Sequence, residues 1–229
     1  MREKFPYELM EDQKELATFG FWKEETYCDL LACQKGNMTE DEFKSKYHTR
    51  ASILCLDMTG FTETAMEAGE LESFFRILDV QKVCGPVFRQ FNACQIRVFA
   101  DNFFVLFDDP HNALNAAFEV HRRIEFFNQS ELAGKDPAQC CIGIGYGEVY
   151  AIGIDQAMGD EMNRACKLGE DIAQGTETLV TECAYDFLKE RIDCKFQKQI
   201  HEQIPFPFYQ VLIGKENSIK FPGKGWNML

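Results

Sequence analysis

The fold is decided by two apolar stretches that each carry one aspartate: residues 52–62, SILCLDMTGFT, with Asp57, and residues 95–107, QIRVFADNFFVLF, with Asp101. Runs of this composition predict buried β-strands. A carboxylate in a buried strand is costly unless a partner such as a cation offsets its charge. If the two strands are neighbours, both carboxylates can hold the same divalent cations, which prefer oxygen ligands and often share a substrate's phosphates. The pair therefore predicts a two-metal site and, as the first hypothesis, phosphoryl chemistry.

The composition of the whole chain limits the classes of function. The chain has 229 residues, of which 45% are hydrophobic and 13% aromatic, so it suits one globular domain with an appendage. A formal net charge of −13 opposes non-specific binding to nucleic acid or to an anionic membrane surface. No apolar run reaches the roughly 18 residues of a membrane span, and the charged start, MREKFPYELMEDQKEL, is unlike a signal peptide. We therefore expect a cytoplasmic protein that binds neither nucleic acid nor membrane.

The ten cysteines are expected to be reduced thiols in that compartment. Cys140 and Cys141 are adjacent, and Cys28 lies five positions before Cys33. No CxxC pair recurs with a second pair or with a spaced pair of histidines, so the spacing does not predict a structural zinc site.

Three regions follow one another along the chain. Residues 1–48 are polar with a helical pattern, and Thr39 and Glu42 are spaced as a capping box, so we predict an N-terminal helical extension. Residues 49–213 show strand and helix patterns in the order β-α-α-β-β-α-β-α-β. This order predicts an α+β fold, a ferredoxin-like split βαβ sandwich with helices packed on a mixed sheet. Residues 214–229, which contain three glycines and a proline, predict an irregular tail.

Three parts of the sequence carry a family resemblance. They are LDMTGFT at 56–62, VFADNFFVLF at 98–107, and GIGYGEVYAIGI at 143–154 followed by GDEMNRACKLGEDIAQGTETLVTE at 159–182. In this order they resemble the class III nucleotidyl cyclases, the family of adenylate and guanylate cyclase catalytic domains. The resemblance runs over most of the chain. It implies that fold, and conversion of a nucleoside triphosphate to a 3′,5′-cyclic nucleotide and pyrophosphate.

The resemblance also implies the composition of the metal site. Asp57 and Asp101 would hold two Mg²⁺ or Mn²⁺ ions, with the Met58 carbonyl as a further ligand. Phe61 and Thr62 would offer backbone N–H groups to the triphosphate, as helix N-termini do. Metals there would activate the ribose 3′-hydroxyl and neutralise charge on the departing pyrophosphate, so catalysis would come from positioning and electrostatics rather than from a protein nucleophile.

The resemblance places a ribose-orienting asparagine and a transition-state arginine opposite the metals. Asn163 matches the asparagine, but Lys167 stands where the family has arginine and lacks its bidentate fork. Arg164, three positions earlier on the same predicted helix, could compensate. In the family these groups face the metals from the other subunit, so the resemblance implies a homodimer with shared active sites.

Base recognition departs from both common patterns of the family. Arg97 and Gln156 stand where adenylate cyclases have Lys and Asp, and they do not match guanylate cyclases. Because Arg carries donors and no acceptor, it suits a base edge of carbonyl acceptors, such as that of uracil or cytosine. The chain is similar to the bacterial pyrimidine cyclases linked to defence against phage, so we expect UTP or CTP as substrate, with an adenylate or guanylate cyclase as the alternative.

Other interpretations of the same residues stay open at this point. Asp57 could cap the helix that follows it, and Asp101 with Asn102 could be a plain hairpin turn. Lys167 and Gln156 also fit a catalytically weak, cyclase-like nucleotide-binding regulatory module. A Rossmann site is disfavoured, because a strand pattern and not a helix follows the glycines of GIGYGE.

Overall fold

The computed structural model describes residues 9–20, 22–59, 69–131, 137–152 and 157–213. The strands are β1 (His48–Met58), β2 (Gln95–Phe99), β3 (Asn102–Phe107), β4 (Cys140–Ala151), β5 (Ala157–Met158), β6 (Thr178–Thr181), β7 (Cys194–Gln199) and β8 (Phe208–Ile213). The helices are α1 (Gln13–Phe19), α2 (Glu24–Gln34), α3 (Glu40–Tyr47), α4 (Glu70–Gln90), α5 (Pro110–Asn128), α6 (Asp160–Cys166) and α7 (Glu182–Leu188), and a π-helical segment, π1 (Lys167–Ile172), continues α6. Within these ranges no helix combines the length and the apolar character needed to cross a membrane.

One mixed sheet with β1 near its centre organises the molecule. Its order is β2-β3-β1-β4-β6-β8-β7, with β5 paired to β4. The β4–β6 pair is parallel and the other pairs are antiparallel. Leu56 pairs with Phe103 of β3, and Asp57 pairs with Cys141 of β4. The predicted α+β fold is confirmed. Both faces of β1 are buried along most of its length, which explains why its sequence is a nearly continuous apolar run.

Helices cover both faces of this sheet, and alternate residues of β1 serve the two faces. Leu54 and Leu56 join the main core beneath α4, α5 and α7, together with the fully buried Phe88. We call this side the α4 face. Ile53 packs with α6, and Cys55 contacts π1, so we call the opposite side the α6 face.

The glycines of β4 allow α6 and π1 to lie unusually close to the sheet. A Cβ atom on Gly143 would lie 2.1 Å from the carbonyl oxygen of Ala165 and 2.5 Å from the backbone nitrogen of Gly169. A Cβ atom on Gly169 would lie 2.7 Å from the carbonyl oxygen of Cys55. The Gly-rich stretch of β4 is therefore a packing surface for a helix, in agreement with the absence of a dinucleotide-binding pattern.

The segment after α6 widens into a π-helix where the sequence predicts a regular helix. The Ala173 N–H donates to the Leu168 carbonyl at 2.8 Å, five residues back. Such turns are rare and occur frequently at functional sites. Here the wider turn brings Gly169 against β1 and β4, and it sets the positions of the acidic residues that follow.

Three helices precede β1, as the helical pattern of this region predicts; residues 1–8 and 21 lie outside the described ranges. The predicted capping box is present at the start of α3, since the Thr39 N–H donates to Glu42 Oε2 at 2.7 Å and the Glu42 N–H donates to Thr39 Oγ1 at 3.2 Å. Phe43 and the end of β4 share a small apolar cluster. The helices therefore dock on one end of the sheet.

The sequence-based element order has five strands, whereas the described residues form eight. It has no element for α7, for β7 or for the two-residue β5, and it places a single strand after α6 where both β6 and β8 follow. The seven residues of α7 are too few to show a clear helical period. The β7 sequence, CKFQKQ, is mostly polar because this strand lies at the edge of the sheet. An edge strand with one partner needs little apolar surface, and its polar residues protect the open edge.

Candidate functional site

The two aspartates meet where β1 ends beside the β2–β3 hairpin. Leu56 pairs with Phe103, two positions after Asp101, so the hairpin turn lies alongside Asp57. The turn contains Ala100 with a φ of 51°, a left-handed conformation that is strained for a residue with a Cβ atom. Asp101 therefore lies in the predicted hairpin, next to the end of β1.

The surroundings of Asp57 disfavour its charged form. Burial, the largest cause, and the nearby carboxylates of Asp101 and Glu170 together raise the pKa of Asp57 from 3.8 to about 7. A hydrogen bond with the Met58 backbone acts in the opposite direction. Carboxylates collected in a half-buried place repel one another, and a cation bound between them would remove that repulsion.

The donor groups around the pair fit an oxygen-preferring divalent cation. Besides the two carboxylates, the Oδ1 atom of Asn102 is buried and has no hydrogen-bond partner among the described residues. A buried acceptor left without a partner costs free energy, which a cation or water at this position would recover. The Met58 side chain is buried in the core of the α4 face, so any ligand from this residue must be its carbonyl.

Glu170 is the residue of this acidic group that the sequence reasoning missed. It lies in π1, and its Oε1 accepts from the Cys55 thiol at 3.4 Å. Burial, with Asp171 and Asp101 nearby, raises the pKa of Glu170. The sequence shows it as an ordinary acidic residue after a basic helix face, and no sequence signal marks it, because it reaches the acidic group through the π turn.

Asn163 and Lys167 lie on α6 and at the start of π1. The Asn163 side chain is exposed. Lys167 Nζ forms an ion pair with Asp171 Oδ2 at 2.6 Å. The lysine that matches the family's arginine is therefore held by a carboxylate of its own chain.

The Arg164 side chain contacts different partners from those of Lys167. Its Nη1 lies 3.6 Å from Glu161 Oε1, and its guanidinium stacks over the Phe206 ring at 5.2 Å from the centroid. Glu161 is buried and accepts the hydroxyl of Thr181 at 2.8 Å. The structure thus couples Arg164 to the carboxylate that anchors α6 on the sheet.

Arg97 lies in the edge strand β2 and shares a face with Asp57. Arg97 pairs with Phe104, which pairs with Cys55, and residues paired across a sheet point to the same side. The expected base-reading arginine is therefore on the α6 face. The other expected substrate contacts, Phe61, Thr62 and Gln156, lie outside the described residues.

Comparison with known proteins relates the fold to solved cyclase domains. No protein-family model and no curated protein matches the sequence. Among solved structures, the adenylyl cyclase CyaB from P. aeruginosa is 18% identical with a TM-score of 0.62, covering 73% of this chain and 95% of that one. An adenylate/guanylate cyclase/hydrolase from Silicibacter pomeroyi is 22% identical with a TM-score of 0.61, covering 73% and 98%. The guanylate cyclase domain of RhGC from Catenaria anguillulae, solved in complex with GTP, is 14% identical with a TM-score of 0.60, covering 72% and 97%.

These likenesses define the class of fold. The chain has the α+β architecture of class III adenylyl and guanylyl cyclase catalytic domains, and it spans nearly the whole length of those domains. At these identities the likeness is one of fold, so activity has to be argued from the site.

Proposed function

We propose that the chain is a class III nucleotidyl cyclase, which converts a nucleoside triphosphate to a 3′,5′-cyclic nucleotide and pyrophosphate. The observation that carries the proposal is the half-buried pair of Asp57 and Asp101, placed at the end of β1 in a sheet of the cyclase type. A pair of carboxylates with an unfavourable mutual charge is what a phosphate-binding metal site requires. The GTP complex of a guanylate cyclase domain with the same fold supports a triphosphate substrate.

The proposed cofactor is a pair of Mg²⁺ or Mn²⁺ ions. Asp57 and Asp101 would hold them, with the Met58 carbonyl as a further ligand and the Asn102 amide oxygen as an additional acceptor. When bound, such ions lower the pKa of the attacking hydroxyl and neutralise the phosphates. The chain's own contribution is to fix the carboxylates on a flanked strand and a strained turn, which keeps the donor geometry ready before substrate arrives.

The remaining roles follow the family pattern and rest on it. Phe61 and Thr62 would bind the triphosphate through backbone N–H groups, and Asn163 would orient the ribose. Lys167 would stabilise the transition-state charge, with Arg164 as its support. For Lys167 to reach a phosphate, its ion pair with Asp171 has to open.

The proposed assembly is a homodimer with two shared active sites, each combining the metal aspartates of one subunit with the Asn163 helix of its partner. The catalytic domain comprises residues 49–213, preceded by the helical extension 1–48 and followed by the tail 214–229. A cytoplasmic location suits a triphosphate substrate.

For the base, we propose a pyrimidine, UTP or CTP, and a role in antiphage signalling of the kind that bacterial pyrimidine cyclases have. Arg97 supports the choice of base, because it is placed on the α6 face with Asp57 and offers donors to carbonyl oxygens. Gln156 would be the second residue in contact with the base, as the family pattern implies. An adenylate or guanylate cyclase is the alternative.

The first test is a product assay with the purified full-length chain. Incubation with ATP, GTP, CTP and UTP separately, each with Mn²⁺, is followed by mass spectrometry of the products. We expect a cyclic pyrimidine nucleotide that is lost in Asp57→Ala and kept in Asp186→Ala, an exposed carboxylate on α7 that serves as control. A cyclic purine would retain the cyclase and reject the pyrimidine; no product from any of the four would favour the regulatory module.

A second test addresses the shared sites. Asp57→Ala and Asn163→Ala chains, each inactive by itself, are mixed and assayed. If the sites are shared across a two-fold axis, mixed dimers contain one intact site and about a quarter of the wild-type activity returns at equal mixing. Activity that stays at the level of the separate variants would reject the shared arrangement.

A further inference from the structure

A second group of metal-ligating side chains lies on the α6 face, beside the carboxylate pair. It consists of Cys55 in β1, Cys166 at the end of α6 and Glu170 in π1. One ligand atom from each lies within 4.8 Å of the other two, and the Cys55 sulfur lies 3.4 Å from Glu170 Oε1. The strand β1 and the continuous helix α6–π1 thus bring three ligand groups into one small volume.

The separation of these atoms is close to that around a bound zinc ion. Ligands at about 2.0–2.3 Å from tetrahedral Zn²⁺ lie roughly 3.3–3.8 Å from one another. The three atoms therefore need to move together by about an ångström or less to surround a cation. Both cysteines are free thiols.

The chemistry of the three groups differs from that of the aspartate pair. Two sulfurs and one carboxylate select a thiophilic cation, whereas an all-oxygen set selects Mg²⁺ or Mn²⁺. Cys55 is fully buried while Glu170 is exposed, so the group has a closed inner end and an open outer end. A cation can enter from the Glu170 side and keep a water molecule as its fourth ligand.

The packing of the α6 face explains how the group is held together. Gly169 lies against the Cys55 carbonyl, where a Cβ atom would be 2.7 Å away. This close approach fixes π1 against β1 at the level of the cysteine. The glycine and the wide π turn therefore position Cys166 and Glu170 on the same side of the strand.

We propose that Cys55, Cys166 and Glu170 form a binding site for a thiophilic divalent cation such as Zn²⁺, separate from the site of Asp57 and Asp101. Binding converts both thiols to thiolates and releases two protons to solvent, while the carboxylate binds in its charged form. The cation links Cys55, which lies two residues before Asp57 in β1, to the helix formed by α6 and π1. It also withdraws Glu170 from the group of carboxylates around that aspartate.

The proposal does not depend on cyclase activity, and its test uses binding. The reduced full-length chain is titrated with Co²⁺, which replaces Zn²⁺ and gives a thiolate-to-cobalt charge-transfer band and intense tetrahedral d–d absorption. We expect these bands at one equivalent and their loss when Zn²⁺ is added. Oxygen ligands give no thiolate band, so the Asp101→Ala variant is expected to keep the signal.

Variants assign the ligands. Cys166→Ser and Glu170→Gln are expected to weaken Co²⁺ and Zn²⁺ binding by more than about tenfold, since even the loss of an outer partner of a metal site costs about that much. Cys55→Ser is expected to do the same, but its burial makes the two partly accessible positions the safer test of ligation. Cys84→Ala, a buried thiol on the α4 face, and Cys183→Ser, an exposed thiol on α7, are the controls and are expected to bind as wild type.

Four results would overturn the proposal. One is a reduced wild-type chain with no thiolate band. Another is a band that survives in Cys166→Ser with unchanged affinity. The third is a band that disappears in either control variant, which would place the metal on other cysteines. The fourth is a Cys55–Cys166 disulfide that forms readily, with no metal binding after its reduction.

Discussion

The two faces of the sheet use the same strands for opposite purposes. On the α4 face, Leu54 and Leu56 lie in a broad apolar core, and His121 of α5 is partly buried with a hydrogen bond to Thr178 Oγ1 at 3.0 Å. On the α6 face, the next residues along β1 are Cys55 and Asp57, with carboxylates and thiols around them. The difference shows that one strand can separate stability from chemistry by the simple alternation of its side chains.

The two faces also treat ionisable groups differently. Burial lowers the pKa of His121 to about 4, so this side chain stays neutral. Burial raises the pKa of Asp57 to about 7, with help from neighbouring carboxylates. A neutral imidazole needs no further partner, whereas a set of carboxylates gains from a bound cation.

The largest expected effect concerns the close approach on the α6 face. Gly143→Ala places a Cβ atom 2.1 Å from the Ala165 carbonyl oxygen, where backbone has to move. We expect a loss of about 3 kcal/mol or more in the free energy of unfolding, measured by urea denaturation. Gly85→Ala in α4 is the control: apart from its chain neighbours, nothing lies within 4 Å of its Cβ position. The gain in helix propensity is opposed by Pro86, which crowds a Cβ atom on the residue before it, so the free energy of unfolding should change by less than about 1 kcal/mol. Equal effects of the two substitutions would contradict the tight α6 packing.

A smaller effect is expected from acid on the α4 face. The unfolded chain protonates His121 near its usual pKa, while the folded chain does so only near pH 4. Stability from this group is therefore complete above about pH 6.5 and falls as the pH drops toward 4. Between pH 7 and pH 4.5 the free energy of unfolding should fall by about 2 kcal/mol less in His121→Gln than in the wild type, measured by urea denaturation at each pH. Parallel stability profiles of the two proteins would show that His121 carries no such linkage.

The smallest effect has the opposite sign and belongs to the α6 face. Without metal, folded Asp57 keeps a proton up to about pH 7 that the unfolded chain loses near pH 3.8. Its contribution to stability therefore declines as the pH rises through this window. We expect Asp57→Asn, in a chelating buffer at pH 8, to be more stable than wild type by about 1–2 kcal/mol after allowance for solvent screening, and equal to it near pH 4.

Mn²⁺ sharpens the same measurement. It should raise the melting temperature of the wild type and leave that of Asp57→Asn nearly unchanged. Asp186→Asn on the exposed side of α7 is the control and should stay within about 0.5 kcal/mol of wild type at every pH. A destabilised Asp57→Asn variant at pH 8 would contradict the repulsion between the carboxylates.

Much of this architecture can be predicted from the sequence, because buried strands and helices have recognisable hydrophobic patterns. The apolar run ending at Asp57 and the hairpin carrying Asp101 predict β1, β2 and β3, and the two aspartates do come together. Their role as metal ligands stays a prediction. The edge strand β7 escapes the same reasoning because its polar sequence reflects an open edge rather than a core.

The remainder depends on tertiary packing. Nothing in the sequence spacing relates Cys55 to Cys166, which lie 111 positions apart and meet because glycines admit π1 to the sheet. The π turn itself has no reliable sequence signal, and Glu170 joins the acidic group through that turn. The ion pair of Lys167 with Asp171 likewise depends on the local winding of the helix.

The central position of β1 has a consequence for how the chain folds. The residues that pair with β1 on one side, in β3, follow it by roughly 50 positions, and those in β4 by roughly 90, so both ladders require closure of long loops. During synthesis the apolar SILCL run emerges before both of its partner strands, β3 and β4. The strand β1 therefore stays unpaired until segments far along the chain are available. We expect folding of this chain to be slow, and the risk of aggregation to be greatest before β4 pairs with β1.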